Sequence, residues 1–317
     1  MLILLWGLAN DPILSALASH LAGLGTKAIL LDQRDVVQST IYLEVDPAVG
    51  GVITFCDRRI DLAKVTAIYP GPYDTRRIPA VARAGAGSET WSRALAFDQA
   101  LLTWLELTPA LVVNRLSAMA ANGSKPLQLM QIRRAGFQTP ETLVTTDRAA
   151  VVAFQQRHGE VIYKSVSGVR SKVARLRPEH AERLADVASC PTQFQRHIVG
   201  REYRVHVVAD AIFACEVVSD ADDYRYQEEG HSMLDILPAT LPLDVAERCR
   251  RMAKAMGLSV TGIDLRHSTD GKWYCLEANP SPAFTYYEQA TGQPIAASVA
   301  RLLAAAPDTV RTSVISA

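Results

Sequence analysis

An alternation of apolar runs at the start constrains this chain most. Residues 2–8 (LILLWGL) and 27–32 (KAILLD) are two such runs, and between them Leu14, Leu17, Leu21 and Leu24 fall at helical spacing. Pro12 stands where the helix would begin and Gly25 where it would close. Strand, helix and strand at this spacing predict a parallel pair with the helix covering one face, so the chain is of the α/β class. The opening MLILLWGLANDP has no basic stretch, and its apolar run stops at Asn10-Asp11-Pro12. It therefore reads as a buried strand entering a turn, not as a signal peptide or a membrane span.

Beyond this unit, IYLEV and GVITFC have period-two character and read as a meander, followed by the strand VTAIY. Residues 79–108 return to helical spacing through Trp91, Leu95, Phe97 and Leu101, and Pro109 precedes the short strand LVVN. A second unit begins near Ala118. It runs as a helix over 125–135, the strand ETLVT, a helix near 149–157, the strand VIYKSV, a polar turn SGVRSK and the return strand VARLR. A third unit carries the strands TQFQRHI, EYRVHVVA and AIFACEVV, a polar charged loop at 219–231, and a helix with Val245, Cys249, Met252 and Met256 on one face. Then come the strands VTGIDLR and KWYCLEANP and a last helix over 293–305.

The 317 residues, 49% of them hydrophobic, suffice for two or three domains with their own cores. Lys+Arg and Asp+Glu balance at 33 each, which argues against a chain whose main work is to grip nucleic acid or anionic lipid. The five cysteines are dispersed and never in C-x-x-C spacing, so neither a disulfide framework nor a zinc site is expected. A cytoplasmic protein follows.

The most informative constellation is Asp264 in TGIDLR with Glu277 and Asn279 in YCLEANP. Thr269-Asp270-Gly271 joins two apolar strands, so the segment is a hairpin. Period-two geometry puts Glu277 and Asn279 on one face, brings Asp264 beside them from the partner strand, and sends Leu276 and Ala278 the other way into packing. Two carboxylates and an amide oxygen are hard donors that suit Mg²⁺, which takes few protein ligands and fills its octahedron with phosphate oxygens and water. The plainer alternative is a solvated strand end with Glu277 paired to an arginine.

Lys164 ends the strand VIYK just before a loop with Ser165, Ser167, Gly168 and Ser171, where an ammonium and loop N–H groups can meet a phosphate. A snorkelling lysine fits the same position. Lys125 follows Asn122-Gly123-Ser124 at a helix start, where Ser124 fits a cap as well. Gln195, Arg196, His197 and Ile198 close a strand whose free backbone groups can pair with a planar base edge. Glu202, seven residues on, can accept from ribose hydroxyls, although a salt-bridged Glu beside an edge strand fits too.

Taken in order, these residues resemble the ATP-grasp ligases. That pattern has a first lysine before a helix (Lys125), a second on a strand before a loop (Lys164), a hinge strand (Gln195–Ile198), a ribose-binding acid (Glu202) and an Asp…Glu-x-Asn magnesium site (Asp264, Glu277, Asn279). The match runs from about residue 118 to 300. It implies an ATP-grasp fold with a Rossmann-like pre-ATP-grasp domain at 1–117, a central subdomain at 118–190 and a C-terminal subdomain with the magnesium site at 191–317. It also implies ATP and Mg²⁺ as cofactors. Lys125, Lys164, Ser167 and Gly168 would then meet phosphates, Gln195, His197 and Ile198 the base, and Arg204 and Arg225 an acyl phosphate.

Within the superfamily, SKPLQLMQIRRAGFQTPETLVT and LEANPSPAFTYYEQATGQPIAASVARLL are similar to the ribosomal-peptide maturases that build graspetides, the microviridin-type macrocyclases. That resemblance implies a precursor-peptide substrate whose Asp or Glu side chains are joined to Ser/Thr hydroxyls or Lys amines. It also implies a homodimer, with no nucleic-acid or membrane partner. The chain departs from the family in reading Tyr69-Pro70-Gly71-Pro72 where relatives often carry an aromatic followed by arginines; here Arg76 and Arg77 come later. Two other readings stand beside it: a glutamate-adding or dipeptide ligase of the ribosomal-protein-modifying type, and a catalytically silent nucleotide-binding regulator.

Overall fold

The computed structural model describes residues 1–166, 173–180, 182–219 and 234–307, which form two compact units. The first takes Met1–Ala118 together with Ala283–Glu288 and, of the described residues, 294–307. Strand β1 (Ile3–Gly7) is buried along its whole length, and helix α1 (Pro12–Gly23) follows it. The Asp11 carboxylate caps α1, accepting from the N–H groups of Ile13 at 2.8 Å and Leu14 at 3.0 Å. Leu14, Leu17 and Leu21 are its buried stripe, and β2 (Ala28–Asp32) then lies parallel to β1. The expected meander is present as β3 (Thr40–Glu44) and β4 (Gly50–Phe55). A further strand, β5 (Arg58–Asp61), completes an antiparallel sheet of three.

Strand β6 (Ala67–Gly71) pairs with β1 on the side away from β2. The two approach so closely at Gly7 that an added Cβ would lie 2.5 Å from the Gly71 carbonyl oxygen. The helical stretch expected over 79–108 is two helices, α2 (Pro79–Ala84) and α3 (Glu89–Leu107). Gly85 and Gly87 break it with φ of 82° and 87°, and the Ser88 hydroxyl starts α3 by accepting from the Trp91 N–H. Strand β7 (Leu111–Val112) ends the parallel sheet, whose order is β2-β1-β6-β7. Leu4, Trp6, Ile68, Phe97, Leu101 and Trp104 belong to the core beneath it.

After the short α4 (Leu116–Met119), the second unit runs from Met119 to Pro282 and adds Gln289–Gln293. It opens with α5 (Lys125–Arg134), β8 (Thr142–Thr145), α6 (Arg148–His158), β9 (Val161–Ser165), β10 (Ala174–Arg175) and β11 (Thr192–Arg196). The strands form a sheet of order β10-β9-β11-β8, over a core that includes Val151, Val161, Leu176 and Phe194. Two expected strands are shorter than their sequence pattern: VARLR pairs only at Ala174 and Arg175, and TQFQRHI stops at Arg196, so His197 and Ile198 lie past its end.

The second sheet of this unit is antiparallel throughout. It contains β12 (Gly200–Val208), β13 (Ala211–Ser219), β14 (Leu234–Ala239), β15 (Val260–Ser268) and β16 (Trp273–Asn279), in the order β14-β13-β12-β15-β16. Helix α7 (Leu243–Ala255) packs on β12 and β15 with Val245, Cys249 and Met252 buried, as their spacing predicts. Of the last helices, α8 (Phe284–Thr291) was not anticipated. The other, α9 (Ile295–Ala304), packs against α1 and β6, so the segment expected as a single unit at 191–317 divides. The apolar face of α9, with Ile295, Val299 and Leu303 fully buried, suits it to cover a sheet of the first unit.

Candidate functional site

Alternation along β12 and β15 sorts their residues into two faces. Val205, Val207, Ile263 and Leu265 are fully buried on one. The other carries Glu202, Arg204 and His206 directly opposite Arg266, Asp264 and Gly262. Oppositely charged residues thus face each other across the ladder. Arg266 Nη2 donates to Glu202 Oε2 at 2.6 Å, and Arg204 Nη1 to Asp264 Oδ1 at 2.7 Å.

The hairpin joining β15 to β16 supplies the third row. Its turn closes with the Ser268 N–H donating to the Lys272 carbonyl and the Gly271 N–H to the Ser268 carbonyl, which sets the register. Asp264 stands directly opposite Glu277, and Gly262 opposite Asn279. The expected juxtaposition of the two carboxylates is therefore present. Leu276 is not where alternation puts it. The ladder shifts so that Leu265 faces Cys275, leaving Leu276 as the extra residue of a bulge. It lines the same cleft as Glu277 instead of packing away from it.

That cleft is bounded by Lys164, Gln195, Arg196, His197, Ile198, Glu202, Asp264, Arg266 and Glu277, with Pro140, Ile162, Val173 and Leu276 as its apolar wall. Most residues singled out by the sequence meet here, from both sheets of one unit. Lys164, on β9, is buried. Lys125 is the first residue of α5, buried, with Nζ 3.4 Å from Glu277 Oε1; Ser124 makes no side-chain cap there. Arg204 is also buried; it stands beside Asp264 and does not line the cleft. The Asn279 side-chain oxygen accepts from the Ser281 N–H at 3.0 Å. Ser167, Gly168 and Arg225 lie outside the described residues.

The strand end at 195–198 differs from expectation in its backbone. The Arg196 N–H donates to the Glu141 carbonyl, the His197 N–H to the Glu160 carbonyl, and the Ile198 carbonyl accepts from Arg266 Nη1 at 3.1 Å. Three backbone groups expected to be open to a base edge are therefore engaged. The Gln195 side chain is buried and donates to the Thr142 hydroxyl at 2.9 Å. His197 Nδ1 lies 3.1 Å from Glu160 Oε2, yet burial, reinforced by the positive charges of Arg175 and Arg266, lowers its pKa.

Two participants escaped the sequence reading. Arg266 holds both Glu202 and the Ile198 carbonyl; its position two residues after Asp264 on the same face was the available signal. Gln128, on α5, clamps β16 with a pair of bonds, donating to the Ala278 carbonyl at 2.8 Å and accepting from the Ala278 N–H at 3.1 Å. It fixes the backbone between Glu277 and Asn279, and nothing in its local sequence marks it.

Chemically, the face offers the hard oxygens of Asp264, Glu277 and Asn279, two of them already balanced by buried cations, beside a half-apolar cleft. Among the described residues, no group of three or more His, Cys, Asp or Glu side chains forms a metal cluster. Two carboxylates and an amide are a donor set for a cation that shares its shell with a ligand's oxygens, as Mg²⁺ does with phosphate.

No protein-family model matches the chain. Several solved structures match it over nearly its whole length. The ATP-grasp ligase PsnB, in complex with minimal precursor, Mg and ADP, is 28% identical, with a TM-score of 0.77 over 96% of each chain. A RiPP-associated ATP-grasp ligase of Chryseobacterium gregarium, bound to ADP and a leader and core peptide, is 20% identical with a TM-score of 0.80 over 97% of this chain and 98% of that one. The macrocyclase MdnC of Microcystis aeruginosa, bound to its precursor peptide MdnA, is 22% identical with a TM-score of 0.78 over 96% of this chain and 99% of that one. The chain has the ATP-grasp fold and is an enzyme of the ATP-grasp ligase class. Within that class it is similar to ligases solved in complex with precursor, or leader and core, peptides.

Proposed function

We propose that the protein is an ATP-dependent carboxylate ligase that activates Asp or Glu side chains of a ribosomal precursor peptide and joins them to Ser/Thr hydroxyls or Lys amines. The observation that carries this reading is Asp264 directly opposite Glu277 on the wall of a cleft that also holds Lys164 and Glu202. The ATP-grasp fold and the likeness to PsnB, in complex with Mg, ADP and a precursor, support it.

In this account the adenine lies against Ile162, Val173 and Leu276, with Gln195, His197 and Ile198 at its edge, and Glu202 accepts from the ribose hydroxyls. Lys125 and Lys164, with Ser167 and Gly168, hold the phosphates, and Asp264, Glu277 and Asn279 hold Mg²⁺. When bound, the metal offsets the charge of the terminal phosphates. A substrate carboxylate oxygen attacks the γ-phosphorus, the bond from that phosphorus to the bridging oxygen breaks, and ADP leaves with the electron pair. The product is an acyl phosphate, whose charge Arg204 and Arg225 steady. The acceptor oxygen or nitrogen then attacks the acyl carbon, loses its proton, and expels inorganic phosphate. The protein's part is positioning and electrostatics rather than covalent chemistry.

Incubation with ATP, Mg²⁺ and the peptide encoded by a neighbouring short gene tests this by mass spectrometry. Loss of one water per linkage is expected. A mass gain of one amino acid would indicate the glutamate-adding reading, and ATP binding with neither ADP release nor any modified product the silent regulator. Light scattering on the same sample reads the homodimer.

A further inference from the structure

The Arg204 guanidinium lies over a strand position that has no side chain. Gly262 is two residues before Asp264 on the same face of β15, opposite His206. A Cβ placed on Gly262 would fall 2.0 Å from Arg204 Nη2, 2.5 Å from its Cζ and 2.8 Å from the Pro282 Cβ. Only 7% of the Arg204 side chain is exposed, so it has little room to retreat from such a group. Hence the absence of a side chain at 262 is what lets the guanidinium reach Asp264 Oδ1. Along the other edge, Arg204 Nε donates to His206 Nε2 at 3.4 Å. His206 is 1% exposed, and burial together with the Arg204 charge holds its pKa well below the ordinary value, leaving the ring neutral and Nε2 an acceptor.

We propose that Gly262 and His206 are positioning residues: together they hold Arg204 against Asp264 Oδ1 and so turn the carboxylate's second oxygen toward a cation in the cleft. This rests on the assignment of Asp264 as a metal ligand. An outer partner that fixes a ligand's orientation commonly changes metal affinity by about 10–100-fold.

The test is a double-mutant cycle on the full-length protein, with Mn²⁺ as the probe. Its binding in the presence of ADP is followed by electron paramagnetic resonance, and kcat and KM for ATP are measured beside it. Gly262→Ala is expected to weaken Mn²⁺ binding about tenfold and to lower kcat more than it raises KM. In an Arg204→Ala background the same substitution should cost less than about twofold. Full additivity would overturn the proposal. His206→Gln, which keeps an acceptor for Nε–H, should retain more Mn²⁺ affinity than His206→Leu. Equal losses would also overturn it, and this pair stands even if Gly262→Ala does not fold. Asp264→Asn separates the two levels of the account. If it leaves Mn²⁺ binding intact, the metal assignment fails and this proposal with it. If it abolishes binding while the cycle is additive, only the positioning role falls.

Discussion

The parallel sheet β2-β1-β6-β7 and the antiparallel sheet β14-β13-β12-β15-β16 spend their side chains differently. Every residue of β1 is buried, so no position on it is left for a charged group. On β12 and β15, by contrast, alternate residues are fully buried while the others present Glu202, Arg204, Asp264 and Arg266. A strand enclosed by apolar groups on both faces fixes architecture, whereas a strand that is apolar on one face and carries charges on the other, the buried Arg204 among them, can also carry chemistry. Within the second kind, cross-strand register pairs the charges before any ligand arrives.

The largest effect that would sharpen this contrast is on stability in the first sheet. Leu5→Ala, at a fully buried position of β1, should cost about 2–5 kcal/mol in urea unfolding of that unit, while sparing the residues of the cleft. A loss below about 1 kcal/mol would mean that β1 is not the packed centre described. In the second sheet the balance reverses. Glu277→Ala should lower the rate of ADP release on the order of 10²–10³-fold, with some loss of stability because the buried Lys125 is left without its carboxylate, and near-normal turnover would break the contrast. Gln128→Ala is intermediate, since it leaves the buried Ala278 N–H and carbonyl without their partner. A stability loss of about 1–3 kcal/mol is expected, with weaker turnover because β16 loosens beside Glu277.

The smallest effect is one of pH and belongs to the first unit. Burial pushes the Asp98 carboxyl up to about 6, and among the described residues its Oδ1 has no hydrogen-bond partner, while Oδ2 accepts from the Thr75 hydroxyl. The folded carboxyl holds its proton more tightly than the unfolded one. Its contribution to stability is therefore present in full below about 4 and lost as pH rises through about 6. Asp98→Asn should flatten that part of the stability profile, and an unchanged slope would show that Asp98 is not its source.

Much of the site was legible because it depends on local rules. The turn at Thr269-Asp270-Gly271 announces the hairpin that brings Asp264 into the neighbourhood of Glu277, and the bulge at Leu276 then sets the two directly opposite. The same alternation misplaced Leu276, since a bulge is a one-residue irregularity that the apolar pattern YCLEA does not announce. Gln128 and the backbone partners of Arg196, His197 and Ile198 were not legible for a different reason. Each is chosen by an element far along the chain, and a glutamine on a helix or a strand-end N–H looks the same whether or not such a partner arrives. The split of the 79–108 helix was visible in Gly85 and Gly87, where two positive φ values interrupt an otherwise continuous helical spacing.

The central claim is that Asp264 and Glu277 hold a divalent cation against the phosphates of ATP. A crystal structure with Mg²⁺ and a non-hydrolysable ATP analogue tests it most directly. The account predicts the phosphates beside Lys164 and metal density bonded to both carboxylates, with Lys125 drawn off Glu277. Nucleotide bound elsewhere, or no metal density at either carboxylate with Arg204 and Lys125 still paired to them, would contradict it.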